Sequence, residues 1–312
     1  MNQSGVFLNP HAAGNPTSFA KPRCLIIGCG DVGMRLIPYL LDRFRVFALT
    51  SQSPDSERFA QLRLAGAMPI YANLDHAHTL RRLAGMAKYI VHLAPPQTDG
   101  EFDRRTRRLA AILPEKAKLV YISTTGVYGN CDGAQFDETR AVAPQNARAK
   151  RRVDAENTLR AWARRRNGAL SILRVPGIYA SDRLPIERLR KGTPALIAQE
   201  DVYTNHIHAE DLAYLIKLAL FRASPNRVYH AVDESDLKMG DYFDLVADHF
   251  QSPRAPRLPR VELEKLVSPM LLSFMSESRR LMNGRIKTEL GGRLQFPTVM
   301  HALQNVRLVE ES

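Results

Sequence analysis

The stretch "LIIGCGDVG", residues 25–33, decides how the rest of the chain is read. Three apolar residues, Leu25 to Ile27, run into a Gly-x-Gly-x-x-Gly spacing, and "MRLIPYLLDRF" follows with helical periodicity. A glycine triplet alone says little. Between an apolar strand and a helix it marks a dinucleotide-binding turn. Gly28 makes the tight turn, Gly30 lets the backbone approach a pyrophosphate, and Gly33 lets helix and strand pack closely. The helix start at Asp31 and Val32 then offers its unpaired N–H groups to phosphate. Pro38 is expected to disturb that helix.

The next strand, "RVFALT", bears on the choice of dinucleotide. A carboxylate at its end would bond the ribose hydroxyls of NAD. The sequence instead reads "TSQS", with no acid before Asp55. Thr50 and Ser51 are neutral donors, and Arg58 follows in the next helix. A carboxylate would repel the extra phosphate of NADP and these residues would not, so NADP is the expected cofactor, with NAD left open.

Apolar strands and amphipathic helices keep alternating to "SILRVPGIY". Strands apolar throughout imply a parallel sheet covered on both faces. The expected fold class is α/β, a doubly wound parallel (Rossmann) sheet with a smaller, mainly helical C-terminal substrate cap. The expected boundaries are a flexible lead-in over 1–21, a dinucleotide-binding domain over 22–180 with its sheet completed by 205–233, and a cap from 181–204 and 234–312.

Bulk properties narrow the classes. The 312 residues carry 44 Lys+Arg against 32 Asp+Glu, a net charge of +12. Such a surface attracts anions. The arginine runs lack interleaved aromatic residues, which argues against a single-strand nucleic-acid groove. No apolar run spans a bilayer, and the N-terminus lacks the pattern of a secretory signal. Cys24, Cys29 and Cys131 have no metal-ligand spacing, so reduced thiols in a cytoplasm are expected, with no metal.

With "GCGDVG", "YIVHLAPP", "YISTTGVYGN", "SILRVPGIYA" and "NHIHAEDLA" in this order, the chain resembles the NAD(P)-dependent epimerase/dehydratase family. That family is the extended branch of the short-chain dehydrogenase/reductases, and the Gly-x-Gly-x-x-Gly form looks like its atypical members. The resemblance implies that Asp75 contacts adenine, that Leu93, Ala94 and Val175 pass the cofactor, that Thr124 is the catalytic Ser/Thr, and that Tyr128 lines the substrate. It also puts Asn205 and His208 in an anchoring segment. His92, His206 and His208 read as structural histidines.

The family's Tyr-x-x-x-Lys pair is missing from "QNARAKRRVDAENTL", residues 145–159. Anchoring on Glu156 puts Arg148 and Arg152 at the pair's positions and turns Lys150 to solvent; anchoring on Lys150 puts Asn146 at the tyrosine. Helical periodicity favours the first register. Arginine cannot shuttle a proton near neutral pH, but it can hold an anion. An anion clamp by Arg148 and Arg152, with Tyr128 as the acid, is therefore expected. The bland reading of Arg152 is an intrahelical pair with Glu156. The implied protein is an oxidoreductase or epimerase/dehydratase-like enzyme for a small anionic hydroxyl or carbonyl substrate. The alternative is an NAD(P)-binding sensor or scaffold without turnover. No membrane partner and no nucleic acid are expected, and a homodimer is left open.

Overall fold

The computed structural model describes residues 21–306, so the expected lead-in lies almost wholly outside the described residues. Seven strands form the central sheet: β1 (Arg23–Ile27), β2 (Arg45–Thr50), β3 (Met68–Tyr71), β4 (Tyr89–His92), β5 (Lys118–Thr124), β6 (Ala169–Val175) and β7 (Arg227–His230). Their order is β7-β6-β5-β4-β1-β2-β3, and every pairing is parallel. This is the doubly wound sheet the strand pattern implies, with β7 completing it from the 205–233 segment.

The six principal helices are α1 (Asp31–Leu40), α2 (Glu57–Leu64), α3 (Arg104–Ile112), α4 (Ala147–Arg166), α5 (Ala209–Arg222) and α6 (Met239–His249). α1 and α5 cover one sheet face through Leu36, Ile37, Leu40, Leu212, Leu215 and Ile216. α3 and α4 cover the other through Leu109, Ala155, Leu159 and Trp162. Removing a leucine or isoleucine of this kind from water contributes roughly 1.5–3 kcal/mol. Pro38 lies inside α1 without ending it. It is exposed, so the carbonyl that loses its N–H partner, one turn earlier at Met34, is on the side where water can replace it.

The region after β6 is built from short helices and two-stranded pairs around its own core of Tyr179, Leu189, Phe243, Val246 and Val299. The expected cap does not stay apart over its whole length. Ile286 and Leu290 pack into the core beneath α1 and α5. Asp211 of α5 accepts the backbone N–H groups of Gln295 and Phe296 at 2.7 and 2.9 Å, which ties the returning chain to the sheet layer.

Candidate functional site

Two clefts open above the carboxyl ends of the strands. The first, about 340 Å³, lies where the strand order reverses between β1 and β4, the usual ligand crevice of such sheets. Gly28, Gly30, Thr50, Ser51, Asn73 and Arg105 are among its walls. The glycines differ in their reasons. Gly28 has φ +79°, and a Cβ there would stand 2.6 Å from the Ala94 backbone. A Cβ on Gly33 would meet Cys29 Sγ at 2.8 Å. A Cβ on Gly30 would meet nothing within 4 Å. That space, facing the start of α1, is a cradle a side chain would fill, so these residues fit a dinucleotide pyrophosphate. Gly30→Leu is therefore expected to fold and to lose NADP binding in calorimetry. An unchanged affinity would move the phosphate site elsewhere.

The other sequence-predicted cofactor residues divide. Thr50, Ser51 and Ala94 line the cleft. Leu93 and Ala94 both donate to the Ile27 carbonyl, at 2.8 and 3.1 Å, holding β4 against the glycine turn. Val32 packs into the core. The Asp31 carboxylate bonds Arg35 and Arg183, each at 3.0 Å. Arg58 lies on the turn itself, donating to the carbonyls of Cys29 and Gly30. Two placements need correction. Asp75 does not line the cleft: Arg105 takes both its carboxylate oxygens at 2.8 and 2.6 Å and holds its pKa below the ordinary value. Asn73 and Leu74, two and one residues earlier, line the wall instead. Val175 is 4% exposed and belongs to the core, while the next residues, Pro176 to Ile178, reach the second cleft.

That second cleft is a cavity of about 500 Å³ between the tips of β5 and β6, the start of α4 and the cap. Thr124 and Val175 pair in register at those tips, so Thr124 comes to the cavity floor. Arg148 projects from the first turn of α4 and stacks 4.4 Å over the Phe274 ring. Its guanidinium has no hydrogen-bond partner among the described residues. The low-dielectric wall around it pulls its pKa below the ordinary arginine value, with nearby Glu277 opposing. Glu277 is already engaged by Arg279 at 2.7 Å and Asn146 at 3.0 Å. Arg188 also lines the cavity, 4.0 Å over the Phe243 ring. Arg148, Arg183, Arg188 and Arg279 thus give the cavity four guanidinium groups against one carboxylate, Glu277, that is already bonded.

Tyr128 and Arg152, expected beside Thr124 and Arg148, do not reach this cavity. Tyr128 is 1% exposed, inside a buried network. Arg174 Nη1 donates to its oxygen at 2.6 Å, and the phenol donates to His230 Nε2 at 2.6 Å. Arg174 also pairs with Glu156 at 2.7 Å, and Ser123 Oγ donates to Glu156 at 2.7 Å. Burial raises the Tyr128 pKa, and Arg174 only opposes that rise, so the expected acidification is reversed. Arg152 donates to Tyr121 Oη and the Ile122 carbonyl, both at 3.0 Å. Among the described residues it pairs with no carboxylate, because Glu156 belongs to Arg174. Lys150 points to solvent, as the favoured register requires, and meets Glu101 at 2.6 Å.

The histidines act as anchors or packing groups. His208 Nδ1 caps α5 by accepting the Glu210 N–H at 3.3 Å. Asn205 bonds Arg279 and Leu281, both at 2.9 Å, fastening the C-terminal segment. His206 lines the cavity, its ring centroid 4.4 Å from that of Tyr242. His92 meets Thr106 Oγ1 at 2.9 Å. Among the described residues no group of three or more ligating side chains could hold a metal ion. No helix there is long and apolar enough to cross a membrane.

The sheet, the glycine turn and the paired clefts are those of the NAD-dependent epimerase/dehydratase family, the extended short-chain dehydrogenase/reductases. Within it the chain belongs to the RmlD substrate binding domain family, which matches residues 104–285. A comparison with curated protein sequences finds no match. Among solved structures, a functionally unknown conserved protein from Silicibacter pomeroyi is similar at 27% identity and TM-score 0.73, covering 92% of this chain and 98% of that one. The UDP-glucose 4-epimerase of Thermotoga maritima, solved with UDP-glucose, is 16% identical with TM-score 0.72, over 91% of this chain and 97% of that one. A dTDP-glucose 4,6-dehydratase of Streptomyces venezuelae, solved with NAD, is 18% identical with TM-score 0.70, over 92% and 96%. The last two likenesses speak for the fold.

Proposed function

We propose that the protein is an enzyme that binds NADP(H), with NAD(H) the alternative, and acts on a small anionic substrate at a hydroxyl- or carbonyl-bearing carbon. The observation that carries this reading is Arg148, turned to a cavity without a hydrogen-bond partner among the described residues; the register anchored on Glu156 would put it where the family has its tyrosine. An unpaired guanidinium beside a bonded carboxylate has capacity for one more anion.

Gly28, Gly30, Thr50, Ser51 and Asn73 would hold the cofactor, whose nicotinamide supplies or removes a hydride. The neutral end of β2 and Arg58 on the glycine turn support NADP, since no carboxylate stands at the strand end itself, although Asp31 and Glu57 line the groove beside Arg58. Thr124 would hydrogen-bond the reacting oxygen from the β5 tip. Arg148, with Arg279 and Arg188 nearby, would hold the anionic group and orient it. Residues 22–180 and 205–233 would carry the cofactor, and 181–204 with the chain beyond 234 most of the substrate wall.

A panel of anionic carbonyl compounds assayed for NADPH oxidation tests the reading. With any compound that turns over, Arg148→Ala should raise KM by a factor equivalent to about 2–5 kcal/mol, the usual loss when one partner of a buried charge pair is removed. Arg152→Ala, away from the cavity, should leave KM alone and lower stability. Tight cofactor binding with no turnover of any panel member would favour a sensor instead.

A further inference from the structure

The start of α1 carries a carboxylate where a dinucleotide needs none. Asp31 is the first residue of that helix and lines a groove with Gly30 and Arg58, beside the open cradle at Gly30. A pyrophosphate at the helix start would meet the backbone N–H groups favourably and this carboxylate unfavourably. Two arginines answer the charge. Arg35 Nε donates to Asp31 Oδ1 and Arg183 Nη1 donates to Oδ2, each at 3.0 Å. Arg35 is fully engaged, because its Nη1 goes to Glu210 at 2.6 Å and its Nη2 to Asp182 at 3.2 Å. Arg183 is not. Among the described residues its side chain makes the Asp31 bond alone, which leaves most of a five-donor fork open.

Arg183 comes from the cap side. The turn Ser181–Arg183 follows the short strand Gly177–Tyr179, which leads on from β6 and pairs with His206–His208. The same arginine lines the 500 Å³ cavity with Arg148 and Arg188. It therefore stands between the two clefts, with its tip on the cofactor helix. The cluster around it sets the carboxylates of Asp31, Asp182 and Glu210 against the guanidinium groups of Arg35 and Arg183. Without Arg183 the negative excess at the helix start would double. The Arg183 and Asp31 side chains are 40% and 37% exposed, and ion pairs so exposed add little to stability. Stability gives no reason for this pairing; an incoming anion does.

We infer that Arg183 is a residue of the dinucleotide site supplied from the cap: it bridges the Asp31 carboxylate and the cofactor's pyrophosphate, and so fastens the cap to the bound nucleotide. A guanidinium has donors for both anions at once, and its planar fork matches each. Because Arg183 also borders the substrate cavity, nucleotide binding then steadies one wall of that cavity. The inference rests on the cofactor reading above.

Calorimetry of the full chain with NADPH, or with NADH if that binds better, tests this without turnover. Both positions are exposed, so the variants are expected to fold. Arg183→Ala should weaken nucleotide binding roughly tenfold to a hundredfold, the usual loss of a hydrogen bond to a charged group. Arg183→Lys should recover only part of that, since it restores the charge without the fork. Asp31→Asn added to Arg183→Ala should also recover part, because it removes the carboxylate left facing the phosphates. Adenosine 2′-monophosphate, or adenosine where NADH is the better ligand, lacks the pyrophosphate and should bind wild type and Arg183→Ala alike. Backbone hydrogen exchange over 181–191 should slow when nucleotide is added to the wild type; exchange that ignores the nucleotide overturns the fastening. Unchanged nucleotide affinity in Arg183→Ala, or an equal loss with the pyrophosphate-free probe, overturns the bridge and leaves the cofactor reading standing. A wild type that binds neither nucleotide overturns the cofactor reading and this inference with it.

Discussion

Acidification from pH 7 to pH 5 should cost the protein a large part of its stability. Four histidines are buried and held below their ordinary pKa, His208 at 8% exposure and, shifted furthest, His92 at 1%, His206 at 4% and His230 at 0%. Burial lowers the last three from 6.5 to about 3, about 4 and about 3. Their surroundings make protonation awkward. His230 Nε2 accepts from a phenol whose oxygen already holds the Arg174 guanidinium, and its Nδ1 meets the Met282 carbonyl at 3.0 Å. For a depressed histidine the stability is whole above the unfolded pKa and is lost as pH falls towards the folded one. Each such group removes about 1.4 kcal/mol per pH unit below 6.5.

Asp233 has the opposite sign, because its raised pKa makes the folded state the better proton binder between its ordinary value and about 7. It offsets one histidine. Asp211 and Glu138, also raised by burial, lessen the slope further within their ranges. The net loss between pH 6.5 and pH 5 is then of order 3 kcal/mol, against a total of about 5–15 kcal/mol for an ordinary domain. Urea midpoints measured at several pH values check this. A flat profile across that interval would show that the histidines are already charged or exposed.

The sequence and the structure agree where local chemistry decides and part where distant strands do. "LIIGCGDVG" was legible because each glycine answers to a neighbour within the turn or to Leu93 and Ala94, whose strand the turn must meet. The apolar strands likewise declared a sheet buried on both faces. Asp75 misled because strand-end register shifts easily by one or two residues, and a shift moves the lining role to Asn73. Tyr128 misled because "TTGVYG" does not say which way a phenol faces. One overlooked signal was available: Arg174 sits in "SILRV", inside a strand apolar on either side, and a buried charge requires a partner. That partner is Glu156, 18 residues away in sequence, which removes it from Arg152. Arg151 was also missed; it is 6% exposed and donates to the Gly100 carbonyl.

Glu156→Leu should therefore destabilise the protein by about 3–5 kcal/mol, the usual cost of leaving one member of a buried ion pair alone. Glu156 is 3% exposed and accepts three hydrogen bonds, from Arg174 Nε at 3.1 Å, Arg174 Nη2 at 2.7 Å and Ser123 Oγ at 2.7 Å. Its removal strands a guanidinium that is 5% exposed, with only the Tyr128 oxygen left to it. Tyr128→Phe, which removes a neutral acceptor from the same guanidinium, should cost less, about 1.5–3 kcal/mol. Adding Arg174→Met to Glu156→Leu should recover much of the loss, because an apolar pair of similar volume carries no desolvation cost. Urea unfolding of the two single variants and the double gives the comparison. If the double is no better than the sum of its parts, the two side chains do not act as a pair. If Tyr128→Phe leaves stability untouched but slows turnover, the phenol belongs to the chemistry after all, and the network around it is not the structural lock that its burial and bonding describe.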